Sequence, residues 1–375
     1  MIAEQLPKGR RRILLLADSP YLGGISSHIT AIVDAFAGDS RFDFKVASFP
    51  GRRDDNTLLE LLERRRVPVH VFPMASAFDA RVVRHVRRYL EERRIDLVHT
   101  HNYRATLIMR CAAGPSAVVT TSHGMMVAAP PRLRLWQALA LRAMRRHRLN
   151  IACSDYVRDW MVERGLSPRR VVTVYNGVEP PLSVTPIPRG ALGLGDDALV
   201  ALFVGRLAPG KGVEELIAAL DESRNWALIV VGEGPLRRDL EQQASECRAN
   251  VRFVGQAADP WPYYALADVV VLPSHMEAFP MVLIEAASMG KPALTTQTGG
   301  IPEAVVHNES GLLVPPGDVT VVTEALEALR DPAFRVRLGE GARKRWASRF
   351  TLGHMAAALA AAYEQVLGQI RAVDE

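Results

Sequence analysis

Two carboxylates in the second half of the chain, Glu277 and Glu285, are spaced as E-x7-E around a proline. A helix that begins near Pro280 and ends at Gly290 would place Glu277 in the preceding loop and Glu285 within the first two helical turns. Unpaired amides at such a helix start attract a diphosphate. The amides concerned belong to Ala278, Phe279, Met281 and Val282. The spacing alone is equally compatible with a ligand site and with two acidic residues that have no ligand, one in a loop and one on the surface of a helix.

Two cations, Arg206 and Lys211, lie in a second segment that contains three glycines, at positions 205, 210 and 212. An arginine can bind two phosphate oxygens at once, a lysine supplies a point charge, and glycines leave the backbone unobstructed. The segment is not a P-loop, because Gly212 stands where that motif requires a hydroxyl. Phosphate binding is favoured over the alternative, two solvated surface cations.

The first half offers weaker candidates. Gly23 and Gly24 follow the first predicted strand, where they would admit a phosphate or sugar to a helix start or simply form a turn. His123 follows the fifth predicted strand and is a candidate by position only. His99 and His101 flank another strand end, where we expect them to pack or cap that strand.

Parallel strands must position these residues. Short β-branched runs alternate with amphipathic stretches, which predicts α/β architecture with helices on both faces of the sheets. Ligands bind such sheets at the carboxyl ends of the strands, where the candidates fall. The predicted strands are 13–17, 44–49, 69–72, 96–100, 118–122, 151–154 and 171–175, then 199–204, 227–231, 251–254, 269–272, 293–295 and 312–314.

The length of 375 residues predicts two domains. We expect the first at 1–180, a proline- and glycine-rich linker at 181–197, and the second at 198–351, with a helix at 352–375 that closes the first. Residues 1–180 carry 29 Lys+Arg against 17 Asp+Glu, whereas the remainder carries 17 against 24. The two halves should therefore have different partners.

Composition excludes several classes of protein. No stretch approaches the roughly 18 to 20 apolar residues of a membrane-spanning helix. Three cysteines without a CxxC pair argue against a disulfide framework or a zinc site and suit a cytoplasmic protein. A nucleic-acid-binding protein, suggested by the basic first half, lacks a recognisable binding module, so no nucleic-acid partner is predicted.

Taken together, these segments resemble glycosyltransferase family 4 over nearly the whole chain. The resemblance also includes Asn176-Gly177-Val178, Gly-Glu-Gly at 232–234 and Phe-Val-Gly at 253–255. It implies the GT-B fold, in which two Rossmann-like domains turn parallel sheets toward a central cleft. The implied enzyme transfers a sugar from a nucleotide-diphosphate donor, such as a UDP-sugar. A GT-B nucleotide-sugar epimerase is the alternative, and the E-x7-E pattern favours transfer.

Carried onto this chain, the resemblance implies that Arg206 and Lys211 bind the donor diphosphate and that Glu285 holds the ribose. Glu277 would contact the hydroxyls of the transferred sugar, and His123 would lie beside its anomeric carbon. These last two residues are therefore the catalytic candidates.

The resemblance further implies that Gly23 and Gly24 face the donor, that transfer retains the anomeric configuration, and that no metal or other cofactor is needed. The absence of a DxD motif agrees with the last point. Where many relatives have Glu-Gly-Phe-Gly, residues 277–280 read Glu-Ala-Phe-Pro, which removes one amide donor. We expect altered phosphate contacts there.

The acceptor would be a glycan or a lipid-linked sugar, in the synthesis of cell-surface polysaccharide or glycolipid. Residues 132–148 form a basic amphipathic segment that could rest on the anionic inner face of a membrane. The alternative is a helix that covers the sheet and exposes its arginines to water. A second arginine-rich stretch, 81–94, supports a basic face in either case.

Overall fold

The structure is a computed structural model that describes residues 10–17, 24–49, 57–74, 79–114, 116–124, 131–222, 226–247 and 249–374. The chain divides into two compact units. The first comprises Met1–Asn176 with Leu352–Glu375, and the second comprises Gly177–Thr351. None of the helices in the described ranges combines the length and the apolar character needed to cross a bilayer.

The first unit contains a seven-stranded parallel sheet in the order β3-β2-β1-β4-β5-β6-β7. Its strands are Arg11–Ala17, Phe42–Ser48, Val69–Val71, Leu97–Thr100, Ala117–Ser122, Leu149–Ala152 and Val171–Thr173 (β1 to β7). The described helices between them are Gly24–Ala35, Thr57–Glu63, Arg81–Arg93, Tyr103–Ala112, Pro131–Met144 and Asp155–Glu163 (α1 to α6). A short 3-10 helix, Pro168–Arg170, precedes β7.

The second unit contains a six-stranded parallel sheet in the order β10-β9-β8-β11-β12-β13. Its strands are Leu199–Val204, Trp226–Val231, Asn250–Gly255, Val269–Leu272, Ala293–Thr296 and Gly311–Val314 (β8 to β13). Its described helices are Val213–Glu222, Arg237–Glu246, Trp261–Leu266, Met281–Ser288, Ile301–Ala304, Val319–Ala328 and Pro332–Arg349 (α7 to α13). All thirteen predicted strands are present, with ends within two residues of those expected.

Both sheets are doubly wound, and each has one point where the strand order reverses. In the first sheet this point lies between β1 and β4, and in the second between β8 and β11. The helical connections that follow the two strands at such a point cover opposite faces of the sheet, and in doubly wound folds ligands bind at the carboxyl edge there. The segments 205–212 and 273–280 follow β8 and β11, so two predicted ligand segments flank the switch point of the second sheet.

The C-terminal helix, Leu352–Asp374 (α14), packs on the first unit. Its Leu359, Tyr363 and Val366 are fully buried in the core formed by α1, β1 and β2. The hydroxyl of Tyr363 lies 2.8 Å from Nδ1 of His99. Residues 181–197 belong to the second unit, where they contain a 3-10 helix, Arg189–Leu192, and bury Leu194 in the core.

Buried polar groups between β5 and β6 tie the stability of the first unit to pH. His147 is buried, and its Nδ1 lies 3.1 Å from Oγ1 of Thr120. Burial lowers the pKa of His147 to about 4, although the nearby Asn150 side chain acts in the opposite direction. In the unfolded chain the imidazole titrates near its ordinary value, about 6.5. The contribution of His147 to folding is therefore complete above pH 6.5 and is lost as the pH falls toward 4.

We predict that His147→Gln reduces the acid sensitivity of β5 and β6. From pH 7 to pH 5, the opening free energy of these strands should fall by about 2 kcal/mol less in the variant than in the wild-type protein. Hydrogen exchange, corrected for the intrinsic pH dependence of amide exchange, measures this difference. The exposed-histidine control His85→Gln should behave as wild type. An equal fall in His147→Gln would contradict the assignment.

Candidate functional site

The switch point of the second sheet brings Lys211 and Glu277 together, although 66 positions separate them in sequence. Nζ of Lys211 donates to Oε1 of Glu277 at 2.6 Å. The two side chains are 30% and 14% exposed, so the pair is partly shielded but open to a ligand. One phosphate-binding candidate and one sugar-binding candidate thus lie at a single point.

Glycines allow these loops to approach each other. A Cβ on Gly212 would lie 2.2 Å from the carbonyl oxygen of Pro273, and one on Gly299 would lie 1.9 Å from that of Glu277. A Cβ on Gly232 would lie 1.8 Å from the carbonyl oxygen of Gly205. No side chain fits at these distances without displacing a loop. Gly212, expected to clear space for phosphate, is therefore required for contact between the loops after β8 and β11.

Arg206 is the more accessible of the two cations. Its side chain is exposed, and it makes no hydrogen bond or ion pair with any residue that the structure describes. An unpaired guanidinium in the same loop as a lysine that already has a carboxylate partner gives the loop positive charge available to an anion. The arrangement suits a ligand that carries more than one phosphate.

The helix after β11 begins one residue later than predicted. Pro280 is the N-cap of α10, with φ −79° and ψ 118°, and the helix starts at Met281. The amides of Met281 and Val282 donate to no acceptor in the described ranges, as expected for a helix start. The ring of Phe279 is buried against Phe350, with centroids 5.4 Å apart, so that side chain is structural.

Glu285 is held by a tyrosine that the sequence did not indicate. Oη of the fully buried Tyr264 donates to Oε2 of Glu285 at 2.6 Å. Burial raises the pKa of Glu285, while the hydrogen bond from Tyr264 acts in the opposite direction. One carboxylate oxygen is thereby fixed, and acceptor capacity remains for a hydroxyl of a ligand.

In the first unit, His123 lies in a cluster of imidazoles at the carboxyl ends of β4 and β5. Its Nε2 is 3.4 Å from Nδ1 of His101, and its ring meets that of His28 edge-on with centroids 4.7 Å apart. Burial lowers the pKa of all three histidines, to about 4 for His28. His123 is therefore neutral at pH 7. Gly24 begins α1 with open space around its Cβ direction, whereas Gly23 lies outside the described residues.

Both His99 and His101 are packed in the first unit, as expected. Nε2 of His99 lies 2.6 Å from Oγ1 of Thr121, and its Nδ1 is bonded to Tyr363. His101 packs against His99 with ring centroids 4.1 Å apart and also contacts His123. Sequence reasoning missed His28, although its position four residues after Gly24 places it on the same face of a helix. Nothing in the local sequence indicates that Tyr264 contacts Glu285.

Comparison with known proteins gives two family matches. A model described as Glycosyltransferase Family 4 matches residues 22–181, and one described as Glycosyl transferases group 1 matches residues 186–345. The D-inositol 3-phosphate glycosyltransferase of Acidothermus cellulolyticus is 30% identical over 317 residues, which cover 76% of this chain and 69% of that protein. Glycogen synthase of Mycobacterium tuberculosis is 40% identical over 172 residues, covering 43% of this chain and only 41% of the relative.

Among solved structures, Anabaena Alr3699/HepE in complex with UDP superposes with a TM-score of 0.82 at 25% identity. The match covers 94% of this chain and 100% of that one. A sucrose-phosphate synthase from Thermosynechococcus elongatus has a TM-score of 0.80 at 23% identity, over 96% and 100% of the two chains, which shows a shared fold.

We predict that Tyr264→Phe raises the pKa of Glu285 further, because the variant loses a hydrogen bond that favours the ionised carboxylate. Hydrogen bonds to charged groups contribute about 1.5–3 kcal/mol, so the increase should be about one pH unit or more. A carbon-13 NMR titration of the carboxyl groups, assigned with Glu285→Gln, measures it. The neighbouring Tyr263→Phe is the matched control. An unchanged Glu285 titration in Tyr264→Phe would show that the hydrogen bond has no electrostatic effect.

Proposed function

The chain belongs to glycosyltransferase family 4, and from this premise we propose that it transfers a sugar from a nucleotide-diphosphate donor, with retention of anomeric configuration. The observation that carries the proposal is the convergence of Lys211 and Glu277 beside the exposed Arg206 at the switch point of the second sheet. UDP is the proposed nucleotide, supported by the UDP complex of the similar Anabaena protein.

The diphosphate is assigned to Arg206, Lys211 and the first amides of α10. Departure of the nucleotide leaves negative charge on the diphosphate, and fixed cations stabilise that charge as a metal ion does in other transferases. When the nucleotide sugar binds, the ammonium group of Lys211 donates hydrogen bonds to phosphate as well as to Glu277. The carboxylate of Glu277 then accepts hydrogen bonds from hydroxyls of the sugar. The loss of an amide at Pro280 leaves Met281 and Val282 as the helix donors.

The ribose is assigned to Glu285. A carboxylate accepts hydrogen bonds from two adjacent hydroxyls, and the bond from Tyr264 fixes its orientation before the ligand arrives. Preorganisation of this kind reduces the cost of ordering the side chain on binding. Glu285 therefore serves the nucleotide, and Glu277 serves the transferred sugar.

His123 is assigned to the sugar as a neutral hydrogen-bonding group, in agreement with its lowered pKa. We propose that the bond between the anomeric carbon and the diphosphate oxygen breaks as the acceptor oxygen attacks from the same face. The acceptor's proton passes to the departing phosphate. The products are the glycosylated acceptor and the nucleoside diphosphate.

The acceptor is proposed to be a glycan or lipid-linked sugar, bound by the basic first unit. Helix α5 supports contact with an anionic membrane, because Leu135 and Leu139 are 60% and 42% exposed one helical turn apart. Arg142 and Arg145 lie on or next to the same helix and are exposed. Exposed leucines with neighbouring arginines are typical of helices that lie in the membrane interface.

We predict that Lys211→Ala and Glu285→Ala each lower kcat/KM by about 100-fold or more, the loss typical when a group that stabilises developing charge is removed. Neither change should unfold the protein, because Lys211 is partly exposed and the loss of the Glu285 partner of Tyr264 costs about 1–3 kcal/mol, less than the stability of a typical domain. Release of nucleoside diphosphate in the presence of acceptor measures the rate. Lys344→Ala and Glu324→Ala remove equal charges from exposed helix positions and serve as controls. Full activity of Lys211→Ala or Glu285→Ala would refute the site, and acceptor-independent isomerisation of the donor would indicate an epimerase.

We predict that EDTA leaves the transfer rate within about twofold of the untreated rate, because Arg206 and Lys211 neutralise the leaving diphosphate without a metal. Initial rates with and without chelator test this. A collapse in rate that magnesium or manganese restores would contradict metal-independent transfer.

We predict that the protein floats with vesicles of phosphatidylglycerol and not with vesicles of phosphatidylcholine alone. Leu135→Ser combined with Leu139→Ser should reduce flotation, because the variant removes the apolar contact. Val336→Ser, at an exposed valine in the second unit, is the control. Equal flotation on both kinds of vesicle would remove the electrostatic basis of the membrane proposal.

A further inference from the structure

Three imidazoles from different elements of the first unit meet at one point. His28 lies in the second turn of α1, His101 directly follows β4, and His123 directly follows β5. One ring nitrogen of each lies within 4.8 Å of the others. The closest pair, Nδ1 of His101 and Nε2 of His123, are 3.4 Å apart. Zinc–nitrogen bonds of about 2.0–2.1 Å in tetrahedral geometry also place ligand nitrogens about 3.4 Å apart.

The cluster has hydrogen-bonding capacity that the described protein does not use. Neither ring nitrogen of His28 has a hydrogen-bond partner in the described ranges, and nor does Nε2 of His101, although all three atoms are buried. The side chain of Asn176 lies near His28 and acts on its pKa, but it does not reach hydrogen-bonding geometry. A buried polar atom without a partner costs about 1–3 kcal/mol, so such atoms in native structures call for an explanation.

The neighbouring His99 shows the contrast. Both of its ring nitrogens are occupied, one by Tyr363 and the other by Thr121, which is the usual condition of a structural histidine. In the cluster, Nδ1 of His101 and Nε2 of His123 hydrogen-bond to each other at 3.4 Å, whereas both ring nitrogens of His28 and Nε2 of His101 have no partner in the described ranges. The ring of His28 contacts those of His101 and His123, and the ring of His101 also packs against His99, with centroids 4.1 Å apart.

We propose that His28, His101 and His123 form a binding site for a divalent transition-metal cation of the zinc type, and that its occupation inhibits sugar transfer by engaging His123. Imidazole nitrogens suit zinc, copper, nickel and cobalt, whereas magnesium and calcium require oxygen ligands, which the cluster lacks. Three protein ligands leave one coordination position for water. The proposed inhibition of sugar transfer rests on the proposed function, whereas the proposed binding of the metal ion does not.

A pocket adjoins two of the three histidines, and the side chains need to move little to reach metal-binding geometry. This pocket is lined by His101, His123, Tyr103, Ser122 and Gly124. The largest separation in the cluster must close by at most about 1.4 Å to reach tetrahedral spacing. An ion bound there holds the ring nitrogen of His123 that would otherwise bond to a sugar hydroxyl. The proposed metal site therefore uses other residues than the diphosphate site, where Arg206 and Lys211 are proposed to act without a metal.

Binding is tested on the whole chain after chelator treatment, without any sugar substrate. Calorimetric titration should show one Zn²⁺ per chain, and Co²⁺ should give the visible absorption of a tetrahedral nitrogen site that Zn²⁺ abolishes. His28→Gln and His101→Gln should each weaken zinc binding by at least about tenfold, since even changes outside the ligand shell cost about 10- to 100-fold. The exposed-histidine control His85→Gln should bind as wild type. Absence of stoichiometric binding by the wild-type protein would overturn the site, as would unchanged affinity in folded His28→Gln and His101→Gln.

Inhibition is tested with each protein's zinc-free rate as its own reference. Zn²⁺ should inhibit the wild-type enzyme at the concentrations that fill the site, and the half-inhibiting concentration should rise at least about tenfold in His28→Gln. Stoichiometric zinc binding without inhibition would overturn the inhibitory role but not the metal site itself. Absence of transfer from any nucleotide sugar, with normal zinc binding, would overturn the proposed function and not the metal site.

Discussion

The close contact between the loops after β8 and β11 is the constraint on which the proposed donor site depends. Gly212 and Pro273 approach so closely that any side chain at position 212 would separate the loops. That contact holds Lys211 within 2.6 Å of Glu277. The doubly wound strand order makes β8 and β11 neighbours, and the absence of a side chain lets their loops meet. The proximity of the two opposite charges is therefore a consequence of backbone packing.

The histidine cluster of the first unit follows different physics. Here burial, rather than ion pairing, sets the chemistry, because it keeps His123 and its neighbours neutral at pH 7. A neutral imidazole can bond to a sugar hydroxyl, and the same lone pair can bind a transition metal. The proposed phosphate contacts in the second unit are charged, whereas the histidine cluster of the first unit offers neutral nitrogen atoms.

The strand pattern and the location of the ligand loops could be predicted from sequence, because parallel strands share one carboxyl edge and their residues are strongly β-branched. That Lys211 and Glu277 lie at the same edge of the sheet could be predicted, because both follow parallel strands. Their direct ion pair could not. The bond from Tyr264 to Glu285 and the contact of His28 with His123 could not be predicted, because each joins separate elements whose packing has no local signal. The contact of Gly212 with Pro273 could not be predicted either, because the two residues are distant in sequence.

Hydrogen exchange with and without UDP locates the nucleotide on the protein without relying on an acceptor. We expect slower exchange at residues 205–213 and 277–286 when UDP is bound, because the nucleotide would contact the loop after β8 and the start of α10. Unchanged exchange in both segments at a saturating UDP concentration would contradict the assigned donor site.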